Sequence, residues 1–373
     1  MTADVTVGIV ANPASGRDIR RLVAKASVFP TAEKANMVQR LLSALHTVGV
    51  THAMLSTDVG GISAAVLRAA RARRPDRDPP WPQLTFCHED GVTGTAEDTT
   101  NAVRRMVAAG ARAIVCLGGD GTARVAAAAC GDVPLLALST GTNNAFPQMR
   151  EATVAGLAAG LVAVGAVDEA GAVRRVGALA VTTPDRREIA LVDVCVTTSQ
   201  HIGSRALWHP EGLTDLFCTF GEPDGIGLSS VAGQLCPSPR TTRTGVGLRL
   251  APPDRARYVV HAPIAPGLVV PIGVDEWWPL EPGDSARIGT GTGVIAVDGE
   301  REIELRPGES ATVTLLADGP RCIDVSAAMT AAARRGLLRS EHPPAHRDRA
   351  HEPTPLHRRP PTGSPQPAKE LSR

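Results

Sequence analysis

Asp120 stands among glycines in the stretch LGGDGTARVAAAAC, residues 117–130, where an apolar run ends and an alanine-rich helical pattern begins. Glycines let a backbone bend or approach a ligand, and N–H groups at a helix start attract phosphate. A carboxylate there repels phosphate unless a cation or a proton mediates. The chemistry that suits such a loop is the binding of a phosphate-bearing ligand with a cation between it and the acid. Two more polar, glycine-bearing segments follow apolar runs: Asn12 to Asp18 (NPASGRD) and Ser139 to Asn144 (STGTNN). Each alone is also what a tight turn requires, so their weight lies in being placed together.

The elements that must position these loops alternate. Val5 to Ala11 reads as a strand, with a helical pattern from about Ile19; helices are expected near Ala32 to Val48 and Ile62 to Arg73, and a strand near His52 to Ser56. After the connector RRPDRDPPWPQ come a strand at Leu84 to His88 and a helix ending near Ala109, opened by Thr95 and Asp98 as a capping box. Ala113 to Leu117 and Val133 to Leu138 are further strands, separated by a helix over Thr122 to Ala129. This order predicts an α/β fold with a parallel sheet, its ligands at the carboxyl ends of the strands.

Beyond a helix at about Arg150 to Ala163 the texture changes. Short apolar segments at 175–182, 189–197, 245–250, 258–262, 293–297, 302–305 and 310–316 are divided by Gly, Pro and Asp, which predicts a mostly β region. The expected organisation is an α/β nucleotide-binding domain over 1–165 and a β-rich domain over 166–316. A segment at 317–333 then returns to the first domain, and a Pro/Arg/His-rich disordered tail occupies 334–373.

Composition narrows the function. The net charge is +1, lysine occurs only at Lys25, Lys34 and Lys369, and no basic patch with interleaved aromatics is present, so nucleic acid is not an expected partner. The start MTADVTVGIVANP reads as a strand and not a signal peptide, and the apolar run Ala152 to Val167 is too short for a membrane. Seven scattered cysteines without a C-x-x-C pair fit buried, reduced thiols in a cytoplasmic protein. There is no G-x-x-x-x-G-K-[ST], and only Gly16 lies in the first turn, which excludes a Walker site and a simple dinucleotide fingerprint.

The set NPASG at 12–16, GGDGT at 118–122 and GTNN at 141–144 resembles the superfamily of NAD kinases, diacylglycerol kinases and sphingosine kinases. Within it, VANPASGRDIRRLVAKASVFPTAEKANMVQRLL, STGTNNAFPQMREATVAGLAAGLVA and DVCVTTSQHIGSRALW are similar to the ATP-NAD kinase-like proteins encoded with acetoin-catabolism genes. The resemblance runs to about residue 330. It implies an α/β domain followed by a β-rich domain with the active site between them.

It also implies roles. Asp120 would contact the acceptor hydroxyl or a bound Mg²⁺, and Gly118, Gly119, Gly121 and Thr122 would cradle phosphate. Asn12, Ser15 and Gly16 would contact the nucleotide, and Gly141, Thr142, Asn143 and Asn144 match a second nucleotide loop. Glu300, in Asp298-Gly299-Glu300, resembles the base of lipid kinases, although Asp-Gly between strands is equally a plain hairpin signal. Asp193 falls where NAD kinases hold the dinucleotide, but Val192 replaces the preceding Asn and the segment HIGSRA keeps only a Gly-Ser of the expected motif. The implied function is ATP-dependent phosphorylation of a hydroxyl acceptor, NAD(H) by default, by a homo-oligomer. A nucleotide-binding accessory protein and a lipid-type kinase are the alternatives.

Overall fold

The strand-to-loop junctions at residues 11–12 and 117–118 lie side by side in the computed structural model, because their strands are neighbours at the centre of one sheet. The structure describes residues 4–16, 25, 29–87, 91–141, 144–198, 210–288 and 293–340. The helix expected from about Ile19, the segment HIGSRA, and Thr142 and Asn143 lie outside them. Met1–Leu337 forms one unit and Leu338–Arg373 another; all that follows concerns the first.

The first sheet is built from β1 (Thr6–Ala11), β2 (His52–Ser56), β3 (Gln83–Cys87), β4 (Ala113–Gly118), β5 (Leu135–Ser139), β6 (Val173–Arg175) and a late strand, β18 (Arg321–Ile323). Their order is β3-β2-β1-β4-β5-β18-β6, parallel except for the β18–β6 pair. β4 is buried at every position because helices cover both faces, which is why it reads as an unbroken apolar run. The order reverses between β1 and β4, and that is where an α/β sheet opens a crevice at its carboxyl edge.

One face carries helices α1 (Thr31–Thr47) and α5 (Ala152–Ala163), the other α3 (Ala96–Ala108) and α4 (Asp120–Ala129); α2 (Ile62–Ala72) packs beside α1. Thr95 caps α3 by accepting the N–H of Glu97, and Asp98 accepts those of Thr93 and Gly94. The apolar run at 152–163 is a helix wedged between α1 and α8 (Val325–Arg334). Its hydrophobicity serves the core.

A four-residue helix, α6 (Glu169–Ala172), precedes β6. The remaining strands are β7 (Ala178–Thr182), β8 (Arg187–Ala190), β9 (Asp193–Thr197), β10 (Leu213–Cys218), β11 (Gly245–Ala251), β12 (Tyr258–Ala265), β13 (Leu268–Leu280), β14 (Ser285–Ile288), β15 (Gly293–Val297), β16 (Glu300–Leu305) and β17 (Ala311–Leu316). They form a sheet β12-β13-β11-β10-β9-β15-β16 and a smaller sheet β14-β17-β7-β8. A shared core joins the two: Leu179, Val181, Val313 and Leu315 from the smaller, Val194, Phe217, Ile295 and Val297 from the larger. A short helix, α7 (Ser229–Leu235), lies against the larger sheet.

The α/β half with a parallel sheet and the β-rich remainder are as the sequence predicts, with two corrections. The segment 175–182 is split between the first sheet and the smaller one, with its break at Val176–Gly177. The segment 189–197 changes sheets at Leu191–Val192, where the N–H groups of Leu191, Val192 and Asp193 turn to the carboxylate of Asp298. The chain returns to the first sheet at β18, and α8 follows on the helical face. All seven cysteines are free thiols, five of them buried.

Candidate functional site

At the reversal between β1 and β4 lies a cleft of about 440 Å³. Its walls are the turn after β1, the segment after β2, the start of α3 and the turn before it, the start of α4, the loop after β5 and the β15–β16 hairpin. Asn12, Ser15, Gly16, Gly119, Asp120, Gly121, Thr122, Gly141, Asn144 and Glu300 all line it. Gly118 and Asp193 do not. Gly118 lies directly beneath, where a Cβ would come within 2.4 Å of the Thr122 Cβ, so α4 can start this close to β4 only with glycine there.

The polar side chains of these loops tie them to each other. Asn12 donates to the Thr122 hydroxyl at 2.9 Å and accepts the Ala14 N–H at 2.8 Å. The Ser15 hydroxyl is 2.8 Å from that of Thr140, and the Thr140 N–H donates to the Gly118 carbonyl. Asn144 donates to the Ser139 hydroxyl. The result is one knitted rim in which side chains fix the shape and backbone lines the space.

Asp120 opens α4, where a carboxylate is favoured by the helix dipole. Its oxygens accept the N–H of Ala145 at 3.1 Å and of Phe146 at 2.8 Å. The carbonyls of the same two residues accept from Arg240, at 3.0 Å and 3.1 Å. Arg240 also grips Glu222 through Nε at 2.9 Å and Nη2 at 2.6 Å, and its guanidinium lies 4.4 Å over the Phe220 ring. Burial alone would raise the Glu222 carboxyl, but the bond to Arg240 and its charge outweigh that and hold it below the ordinary value.

The DGE segment is both a hairpin and part of the site. Asp298 and Gly299 have φ of 49° and 73°, a turn with both central residues left-handed, and Val297 pairs with Glu300 across it. Asp298 points inward, fully buried, beneath the β8–β9 junction. Burial raises its carboxyl to about 6, against the lowering pull of Arg124 and of the three amide groups. Glu300 also lines the cleft, its carboxylate against Gly121: Oε1 lies 3.4 Å from where a Gly121 Cβ would stand.

Sequence reading missed Arg124. Its side chain is 9% exposed and faces three carboxylates, Glu302 at 3.1 Å, Glu188 at 3.4 Å and Asp298 at 3.7 Å. This bolts α4 to β8 and β16. Six carboxylates line the cleft among the described residues, and Arg124 is the one cationic side chain with them. Four of the six are engaged structurally: Asp58 accepts the amides opening α2, Asp98 those before α3, Asp298 those of the β8–β9 junction, and Glu302 pairs with Arg124. Asp120 holds its loop. Glu300 is therefore the carboxylate most open to a ligand.

Asp193, expected at the substrate, is instead 4% exposed on β9, close enough to Cys195 and Cys218 to add to the effect of burial in raising both thiols. It does not reach the cleft. No helix among the described residues is long and apolar enough to cross a membrane.

Loops of this kind at the reversal of a parallel sheet, with a β-rich region completing the cleft, place the candidate site at the carboxyl edge of an α/β fold. Residues 7–167 match the ATP-NAD kinase N-terminal domain, and residues 177–318 match the acetoin catabolism protein X C-terminal domain. The chain is 42% identical over 344 residues to acetoin catabolism protein X of Cupriavidus necator, covering 91% of this chain and 95% of that protein. The chain belongs to the acetoin catabolism protein X family. More distant in sequence, at 14% identity, are yeast NADH kinase complexed with NADH (92% of this chain, 90% of that one, TM-score 0.47) and an NAD kinase from Archaeoglobus fulgidus in complex with ATP (77% and 96%, TM-score 0.35).

Proposed function

We propose that this protein is an ATP-dependent phosphotransferase that phosphorylates a hydroxyl acceptor associated with acetoin catabolism, with NAD(H) as the default acceptor. The observation that carries this reading is Glu300: a carboxylate left open to the cleft, set over the N-terminal turn of the helix that follows GGDGT. In the proposed reaction the acceptor oxygen attacks the γ-phosphorus, the bond to the β-phosphate oxygen breaks, and the acceptor proton passes to Glu300. General-base assistance of this kind is worth about 10²–10⁴ in rate. The loops at 12–16 and 118–122 seat the phosphates on backbone N–H groups, and Gly141 and Asn144 line the cleft beside them.

The residues present suit Mg²⁺. A cleft with six lining carboxylates and one already paired arginine needs a mobile cation to accept a triphosphate, and Mg²⁺ asks for only one or two carboxylates beside the phosphates. Asp120 would hold it, and the ion would neutralise phosphate charge. A cytoplasmic homo-oligomer acting on small-molecule nucleotides completes the reading.

The test is a turnover assay with ATP and Mg²⁺ against NAD, NADH, acetoin, butanediol and diacylglycerol, with Glu300→Gln and Asp120→Asn as controls. An acceptor that consumes ATP with the wild type but not with Glu300→Gln supports the kinase. The second reading, a nucleotide-binding accessory protein, is favoured by Asp120 being engaged by Ala145 and Phe146 and by Asp193 lying away from the cleft. It gains if ATP or NAD stabilises the protein thermally while every acceptor stays unmodified.

A further inference from the structure

Lys34 is 1% exposed, in the first turn of α1, and its ammonium donates to the carbonyls of Asn12 at 3.0 Å, Pro13 at 3.2 Å and Ser15 at 2.7 Å. Two costs oppose a lysine there. Burying an ammonium is expensive, and a cation in the first turn of a helix opposes its dipole. Neither cost serves α1, whose buried leucines already hold it to the sheet. What the lysine shapes is the NPASG turn.

The peptides of that turn are trans, so carbonyl and N–H point opposite ways across each plane. With the Ser15 carbonyl drawn back to Lys34, the N–H of Gly16 is turned away from it, on the residue that lines the cleft. The ammonium also places a full positive charge directly behind the turn, where no ligand can touch it. Asp58 lines the same end, but its carboxylate is taken up by the N–H groups of Ile62 and Ser63. At the other wall Asp298 and Glu302 are likewise engaged, by amides and by Arg124, and Glu300 is the carboxylate left open there.

We propose that Lys34 is a positioning residue that makes the NPASG turn the polyphosphate end of the cleft, so that a nucleotide lies with its phosphates at residues 12–16 and the acceptor hydroxyl at Glu300. This rests on the cleft being a nucleotide site, as proposed above. Lys34 acts through the turn and its charge, without touching the ligand.

The experiment compares wild type, Lys34→Met and Lys34→Arg by calorimetric titration with inorganic tripolyphosphate, ATP and AMP. The expected result is an about tenfold or greater loss of tripolyphosphate and ATP affinity in Lys34→Met, the scale of one nearby charge, with AMP weakened far less and Lys34→Arg partly restoring the ATP-to-AMP ratio. A loosened fold would weaken ATP and AMP alike, and that outcome overturns the proposal, as does unchanged tripolyphosphate affinity. Should Lys34→Met fail to fold, the wild-type amide resonance of Gly16 decides: tripolyphosphate shifts it if the turn binds, and an unmoved signal rejects the assignment. Wild type that binds neither ATP nor tripolyphosphate would instead reject the nucleotide reading of the cleft.

Discussion

Asp120 and Arg240 hold the same two residues from opposite sides: the carboxylate takes the N–H groups of Ala145 and Phe146, and the guanidinium takes their carbonyls. The first comes from the α/β half and the second from the β-rich half. The loop after β5 is therefore fastened to both halves, and the GGDGT acid is linked to Glu222 through one stretch of backbone.

That arrangement predicts the effect of Arg240→Met. Removing the guanidinium leaves two carbonyls without their donor and Glu222 with only the backbone N–H of residue 240, at a cost of about 1–3 kcal/mol. The amides of Ala145 and Phe146, protected by Asp120 in the wild type, should exchange with solvent faster by hydrogen-exchange mass spectrometry. Unchanged protection there would mean that Asp120 holds the loop alone.

Arg124 makes a second prediction. Arg124→Met leaves Glu188, Asp298 and Glu302 facing one another around a buried gap. Breaking a buried ion pair costs about 3–5 kcal/mol, and denaturant unfolding should show a loss of that order. Lysine at this position supplies charge without the planar fork and should recover only part of it.

The pH dependence follows from Asp298. Its folded-state value of about 6 lies above the ordinary 3.8, so the native protein binds this proton more tightly than the unfolded chain. The stability it contributes is full below about 3.8 and is lost as pH rises through about 6. The wild type should lose on the order of 3 kcal/mol relative to Asp298→Asn between those limits, at 1.36 kcal/mol for each unit. Urea unfolding of both proteins at several pH values measures the difference; a flat difference would refute it.

Gly141→Ala probes the rim. A Cβ there would stand 2.4 Å from the Asn144 Oδ1 and 3.0 Å from the Gly119 Cα, so the loops after β4 and β5 must separate. Overpacking of this kind costs about 1–3 kcal/mol. Nucleotide affinity should fall further than stability, because the displaced atoms are the lining of the cleft. Calorimetric titration beside thermal unfolding separates the two.

The loops were legible in the sequence because each joins an apolar strand to a helix through glycine and small polar residues, a pattern read locally. The Asp298-Gly299 hairpin was legible as a turn, whereas Glu300 was singled out only by its resemblance to the lipid-kinase segment. Arg124 was not: a lone arginine in an alanine-rich helix reads as a solvated side chain, and its partners Glu188 and Glu302 stand 64 and 178 positions away. Lys34 was hidden the same way, since nothing in AEKANM marks its ammonium as buried. The break at Leu191–Val192 was illegible because an unbroken apolar run gives no sign that a distant carboxylate collects its amides. Asp193 was misplaced for a related reason: its position in the chain matched a binding residue, while the fold turns it into the core.

The strand β18 lies between β5 and β6, so the first sheet contains a gap until residues 321–323 fill it. On the ribosome the chain must complete the whole β-rich region before that gap can close. A nascent protein emerging in order thus carries an open β5 edge until residues 321–323 have been made, and the cleft-bearing half becomes whole only after the β-rich region. Cutting the chain between its two matched domains would leave that edge open permanently, which makes the pair one folding unit with a late final stitch.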